Sequence, residues 1–150
     1  MSKILIGIDP DVDKSGVAYI GMSKKIVLGN MRFFELFDSI SYEQSELKRL
    51  FSQHDVQIKV YIEAGWLNKP NWHTSGKMNI ATVAQIGART GANHEVGRKI
   101  AEMCEYLKID YELVRPTQSK VDAVYFKQLT KYQGRTNQEQ RDAAMLIWGR

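Results

Sequence analysis

The chain has 150 residues, 43% of them hydrophobic and 25% charged, with a net charge of +4. That is one domain's length, residues 1–150, with enough chain to bury a core, and the composition is that of a folded globular protein. No apolar run approaches the ~18 residues of a membrane-spanning helix. Met1-Ser-Lys leads straight into a strand without a signal-peptide core, so a cytoplasmic location is expected. The single cysteine, Cys104, excludes an internal disulfide and reads as a small buried residue.

Residues 3–9 form the first expected strand, an apolar run that stops on Asp9. A turn through Asp9-Pro-Asp-Val-Asp-Lys-Ser-Gly16 leads to strands at 16–22 and about 26–34. The links are too short for a crossover helix, so these three strands form an antiparallel meander. Tyr42 to about His54 has the spacing of an amphipathic helix, with Leu47, Leu50 and Phe51 on one face. Residues 58–63, rich in β-branched and aromatic side chains, are a fourth strand that stops on Glu63. If it returns beside the first strand, the pairing is parallel. Residues 64–77 read as a loop, and a long helix runs from about Met78 to Leu107, with a bend or break expected near Ala92-Asn93. A last strand covers 110–115, a helix opens at Pro116-Thr117 and runs to about Tyr132, and a final helix capped by Thr136 or Asn137 reaches about Trp148. The order predicts an α/β fold, a mixed sheet of about five strands flanked by helices.

Four carboxylates stand out. Asp9 and Glu63 each end an apolar strand, which places an acid at the sheet's edge. A carboxylate beside a buried strand end is costly unless paired or metal-bound. Glu139 and Asp142 are three residues apart on the final helix and so share a face. Thr136-Asn-Gln-Glu139 also fits a capping box, which would occupy Glu139 structurally. Gathered at one place, the four acids offer the oxygen donors that hard divalent cations require. Asp11 and Asp13, in the first turn, are either further ligands or turn formers.

From Ala64 to Lys99 there are five basic residues, Lys69, Lys77, Arg89, Arg98 and Lys99, against the single acid Glu95. Basic charge directly after Glu63 would draw a polyanion toward the acids. Trp66, with Trp72 and His73 to support it, offers a stacking surface for an unpaired base. Lys120 and Lys127 offer phosphate contacts. The three histidines are scattered and have no cysteine partner, so zinc is not expected. No phosphate loop or nucleophile elbow is present, and no nucleotide cofactor is expected.

Ile6-Gly-Ile-Asp9-Pro10 with Gly16, then Val60-Tyr-Ile-Glu63 with Trp66, then Glu139-x-x-Asp142-Ala-Ala, resemble the RuvC-type Holliday-junction resolvases over nearly the whole chain. Ala88-Arg-Thr-Gly-Ala92 and Pro116-x-x-x-Lys120 are also similar to stretches of that family, and the short length suits a phage-encoded member. The resemblance implies an RNase H-like fold, two Mg²⁺ ions per site with Mn²⁺ as a substitute, and a homodimer. It further implies paired symmetric nicks at a four-way DNA junction that leave 5′-phosphate and 3′-hydroxyl ends. On this basis Asp9, Glu63, Glu139 and Asp142 are metal ligands and Lys120 assists catalysis. From their basic or aromatic character, Trp66, Lys69, Trp72, His73, Lys77, Arg89, Lys120 and Lys127 are the expected DNA contacts. Glu139, Asp11 and Ser15 depart from the family's usual residues.

Three other readings stay open at this stage. One is an RNase H-type hybrid nuclease, with Glu43 or Glu46 on the first helix as a ligand. Another is a junction-binding protein without catalysis. The third, an actin-like ATPase, would need a second similar domain.

Overall fold

The computed structural model describes residues 2–51, 56–68 and 79–150. In chain order the elements are β1 (Ser2–Asp9), β2 (Ser15–Ile20), β3 (Ile26–Met31), α1 (Phe33–Leu50), β4 (Val56–Glu63), α2 (Ile80–Leu107), β5 (Asp110–Val114), α3 (Ala123–Thr130) and α4 (Gln138–Met145). A short 3₁₀ turn over Gly65–Leu67 follows β4. The strands form one mixed sheet in the order β3-β2-β1-β4-β5. The first three are the expected antiparallel meander, and β4 returns parallel to β1 with β5 parallel to β4. This is the five-stranded α/β architecture predicted from the sequence.

Strand alternation sends β1 side chains to two different cores. Ile4, Ile6 and Ile8 face α1 and α2 and pack with Leu36, Ile40, Val60, Ile62, Ile100 and Cys104. Leu5 faces the other way, with Ala18, Tyr61, Phe126, Ala143, Ala144 and Ile147 under α3 and α4. Each fully buried aliphatic side chain here contributes about 1.5–3 kcal/mol. Cys104 is buried as expected, and burial pushes its thiol up to about 12.

Two glycines decide how close α4 can come. A Cβ on Gly7 would overlap the backbone carbonyl of Ala143, and one on Gly16 would overlap that of Glu139. The helix backbone therefore lies directly on β1 and β2 near the end where Asp9 emerges.

Several boundaries differ from the sequence reading. Helix α1 starts at Phe33, nine residues before the expected Tyr42, because the Arg32 N–H donates to the Glu35 carboxylate at 2.7 Å and caps it. Helix α2 is unbroken through Ala92-Asn93. Helix α3 begins only at Ala123, where Asp122 caps the Tyr125 N–H, so 115–122 is an irregular segment and not a helical turn. Helix α4 ends at Met145, before the expected Trp148.

Candidate active site

Asp9 and Glu63 end adjacent parallel strands, one step beyond the Ile8–Ile62 register pair. Neighbouring strands lie about 4.8 Å apart, so both acids reach the same sheet edge. Helix α4, seated on Gly7 and Gly16, brings Asp142 to that edge from the side. The Lys120 ammonium lies among them, 2.5 Å from Asp142 Oδ2 and 3.9 Å from Glu63 Oε1. The Glu63 and Asp142 side chains are only 15% and 10% exposed. Three elements far apart in the chain thus deliver Asp9, Glu63 and Asp142 to one spot, with Lys120 supplied by the segment before α3.

The electrostatics show too much negative charge for that one cation. Asp9 is pushed from its ordinary value of 3.8 up to about 8, by burial first and then by the charges of Glu63 and Asp142, with Lys120 opposing. Burial also raises Glu63, Lys120 pulls it back, and Asp142 adds to the rise. Burial pulls Lys120 down, but its bond to Asp142 and the surrounding carboxylates outweigh this and hold it above the usual lysine range.

Among the described residues, no three of His, Cys, Asp or Glu stand close enough together to hold a metal ion as they are placed. The Lys120 ammonium lies between Glu63 and Asp142. The donor chemistry nevertheless fits a hard divalent cation, being all carboxylate and in excess of the local positive charge.

Glu139 stands at the margin. Its charge is felt at Asp9 as the smallest of the named influences, and its side chain lines a neighbouring groove of about 780 Å³ with Asp11, Asp13, Lys14, Asn30, Arg32 and Arg89. The capping box that could have occupied it is made instead by Asn137 with Gln140.

Two residues missed in the sequence hold Asp142 and Lys120 in place. Gln138 Nε2 donates to Asp142 Oδ1 at 2.8 Å, and Gln138 Oε1 accepts from Arg141 Nη2 at 2.9 Å. The buried Arg141 also donates to the carbonyls of Val121 (2.8 Å) and Thr136 (3.1 Å), so it ties the residue next to Lys120 onto α4. The Gln138/Asp142 and Gln138/Arg141 spacings, i,i+4 and i,i+3, were the available signal.

A cavity of about 160 Å³ opens beside Asp9 and Glu63 and is walled by Pro10, Trp66, Thr90, Asn93 and His94. Trp66, the expected stacking residue, is half-buried at this cavity. Its ring lies against Gly97, where a Cβ would come within 2.5 Å of it, with Arg98 over the ring at 5.2 Å and His94 edge-on at 6.1 Å. Thr90, Asn93 and His94 form a polar face of α2 that sequence reasoning passed over.

Asp11 and Asp13 do not face the acids. Both pair with Arg89, at 3.1 and 3.3 Å, and Asn93 Oδ1 accepts from the Val12 N–H at 2.8 Å. Arg89, expected on DNA, is thereby engaged in tethering α2 to the first turn. Lys127 is exposed on α3, away from the acids. Lys69, Trp72, His73 and Lys77 lie outside the described residues. Of the first-helix acids, Glu46 pairs with Arg49 at 2.8 Å and Glu43 lines a groove with Tyr19 and Ser39. Neither joins the site.

No protein-family model matches the sequence, and no curated protein does. Among solved structures the chain is similar to T. thermophilus RuvC in complex with Holliday junction substrate, with a TM-score of 0.47 and 12% identity over 96% of this chain and 89% of that one.

Proposed function

We propose that the chain is a metal-dependent, structure-selective endonuclease of RNase H-like type that resolves four-way or other branched DNA junctions by paired phosphodiester hydrolysis. The observation that carries this is the convergence of Asp9, Glu63 and Asp142 around Lys120, with the Asp9 carboxyl raised to about 8 by burial and by its acidic neighbours. The sequence motifs that resemble RuvC-type resolvases fall on these same acids.

Asp9, Glu63 and Asp142 would hold the metal, with Glu139 reaching in from the margin. When bound, two Mg²⁺ or Mn²⁺ ions would supply an activated water and stabilise the departing 3′-oxyanion. Lys120 moves from Asp142 onto the scissile phosphate and offsets the charge that builds there. Gln138 and Arg141 keep the Asp142 carboxylate oriented while that exchange takes place. Pro10, Trp66 and His94 wall the cavity beside Asp9.

A homodimer suits the two-fold symmetry of a junction. Residues 80–91 of α2 are exposed throughout, with apolar Ile80, Val83 and Ile86 and the open glycines Gly87 and Gly91 among them. Such a surface suits close packing against a second copy, whereas Gly97 is already filled by Trp66.

A substrate panel tests the reading. Labelled four-way junction, linear duplex and RNA–DNA hybrid are incubated with the protein in Mg²⁺ and in EDTA. Junction nicking in Mg²⁺ alone is expected. Preferential cutting of the hybrid would move the protein to the RNase H branch. A second reading, a junction binder in which the Lys120–Asp142 pair is structural, draws on the lack of ready ligand geometry. Tight junction binding without nicks in either Mg²⁺ or Mn²⁺ would favour it.

A further inference from the structure

Helix α3, from Ala123 on, and the segment leading into α4 line a groove of about 750 Å³ that includes none of the four acids. Lys127, Lys131 and Arg135 line it, and no acid does. All three are exposed, and none forms an ion pair among the described residues. Lys127 and Lys131 are four residues apart, so two like charges stand on neighbouring turns and repel each other unless an anion lies between them. The helix dipole accounts for a cation at Lys127 but not for Arg135, which lies beyond the helix.

The groove is a built feature. Its floor is Phe126, buried, against Tyr132 edge-on at 6.2 Å. Gly134 fits under the Tyr132 ring, where a Cβ would come within 2.8 Å. Arg141 binds the carbonyls of both Val121 and Thr136 and thereby pins the two ends of the α3 segment to the helix that carries Asp142.

The groove begins at Ala123 and Val124, the first turn of α3 and three residues from Lys120, so it runs from the active-site end of that helix past its C-terminus.

We infer that the Lys127–Lys131–Arg135 groove binds the phosphate backbone of a DNA arm, a reading that does not depend on the chain being a nuclease. The experiment measures anisotropy of a labelled four-way junction across 50–300 mM salt, with Ca²⁺ in place of Mg²⁺. It compares the full chain with a Lys127→Ala, Lys131→Ala, Arg135→Ala variant, and with Lys127→Gln, Lys131→Gln should the triple variant not fold. The log–log salt slope is expected to become shallower by about 2–3, with affinity at 0.1 M salt down by about tenfold or more. The thermal midpoint is expected to stay unchanged.

Equal slopes in wild type and variant would overturn the groove while leaving the nuclease reading intact. Groove-dependent binding by a wild type that nicks nothing in Mg²⁺ would support the groove and overturn the nuclease reading. No DNA binding by wild type would overturn both.

Discussion

Replacing Asp9 by Asn should make the metal-free protein more stable, although it removes a residue at the centre of the site. Asp9 titrates at about 8 in the folded chain, against an ordinary value of 3.8. Because the folded pKa is the higher one, the folded state holds the proton more tightly than the unfolded state does. This contribution is full below about pH 4 and is lost as pH rises through 8. At about 1.4 kcal/mol per pH unit, the loss by pH 7 is about 4 kcal/mol. Asparagine carries no charge and does not lose it, and no hydrogen bond to the Asp9 carboxylate among the described residues would be broken. A gain of about 2–4 kcal/mol at pH 7 follows, or about 5–15 °C in the thermal midpoint of a domain this size. The assay is thermal unfolding of both proteins in EDTA from pH 4 to 9. The difference should be small at pH 4 and grow toward pH 8. Adding Mg²⁺ should raise the midpoint of wild type well above that of the variant's response. A variant less stable than wild type at pH 8, or a difference that does not change with pH, would refute the charge-excess account of the site.

Lys120→Ala should lower the nicking rate by about 10² while junction binding in Ca²⁺ stays within about threefold, as expected for a group that acts on developing charge. Weaker binding with an unchanged single-turnover rate would make it an anchor instead. Gly7→Ala should destabilise the protein by about 3 kcal/mol or more, because the added methyl overlaps the Ala143 carbonyl and forces α4 off the sheet. Denaturant unfolding measures this, and a loss under about 0.5 kcal/mol would contradict the packing. Cys104 should resist thiol reagents in the native state and react at the rate of unfolding, since it is buried with its thiol pushed up to about 12.

The strand-end acids were legible because each interrupts an apolar run, and a charge at that point needs a reason to be there. The meander followed from link lengths, and the parallel pairing of β4 was expected only if that strand returned beside β1, as it does. Helix α1 was set too late because Phe33-Phe-Glu-Leu-Phe37 continues the apolar pattern of β3, and its capping comes from Arg32 and Glu35, not from a serine, threonine, asparagine or aspartate at the N-cap. The glycines of α2 suggested a break, but Gly87 and Gly91 lie on an exposed stretch where they crowd nothing. Pro116-Thr117 looked like a helix start, yet Asp122 is the cap, and the irregular segment between them is what lets Lys120 reach Asp142. Arg141 escaped notice because its partners Val121 and Thr136 lie outside the helix it sits on, whereas Gln138 was signalled only by its i,i+3 and i,i+4 spacing to Arg141 and Asp142. Asp11 and Asp13 proved to be tied to Arg89, a pairing across more than seventy residues that no local pattern reveals.

The most direct test is a nicking assay on a labelled mobile four-way junction, run in Mg²⁺ and in EDTA with wild type and Asp142→Asn, both checked for native thermal unfolding. The account predicts paired symmetric nicks by wild type in Mg²⁺, none in EDTA, and none by the variant in either. Nicking that survives EDTA or the Asp142→Asn substitution would contradict the carboxylate metal site. An inert wild type that still binds the junction in both Mg²⁺ and Mn²⁺ would contradict catalysis itself.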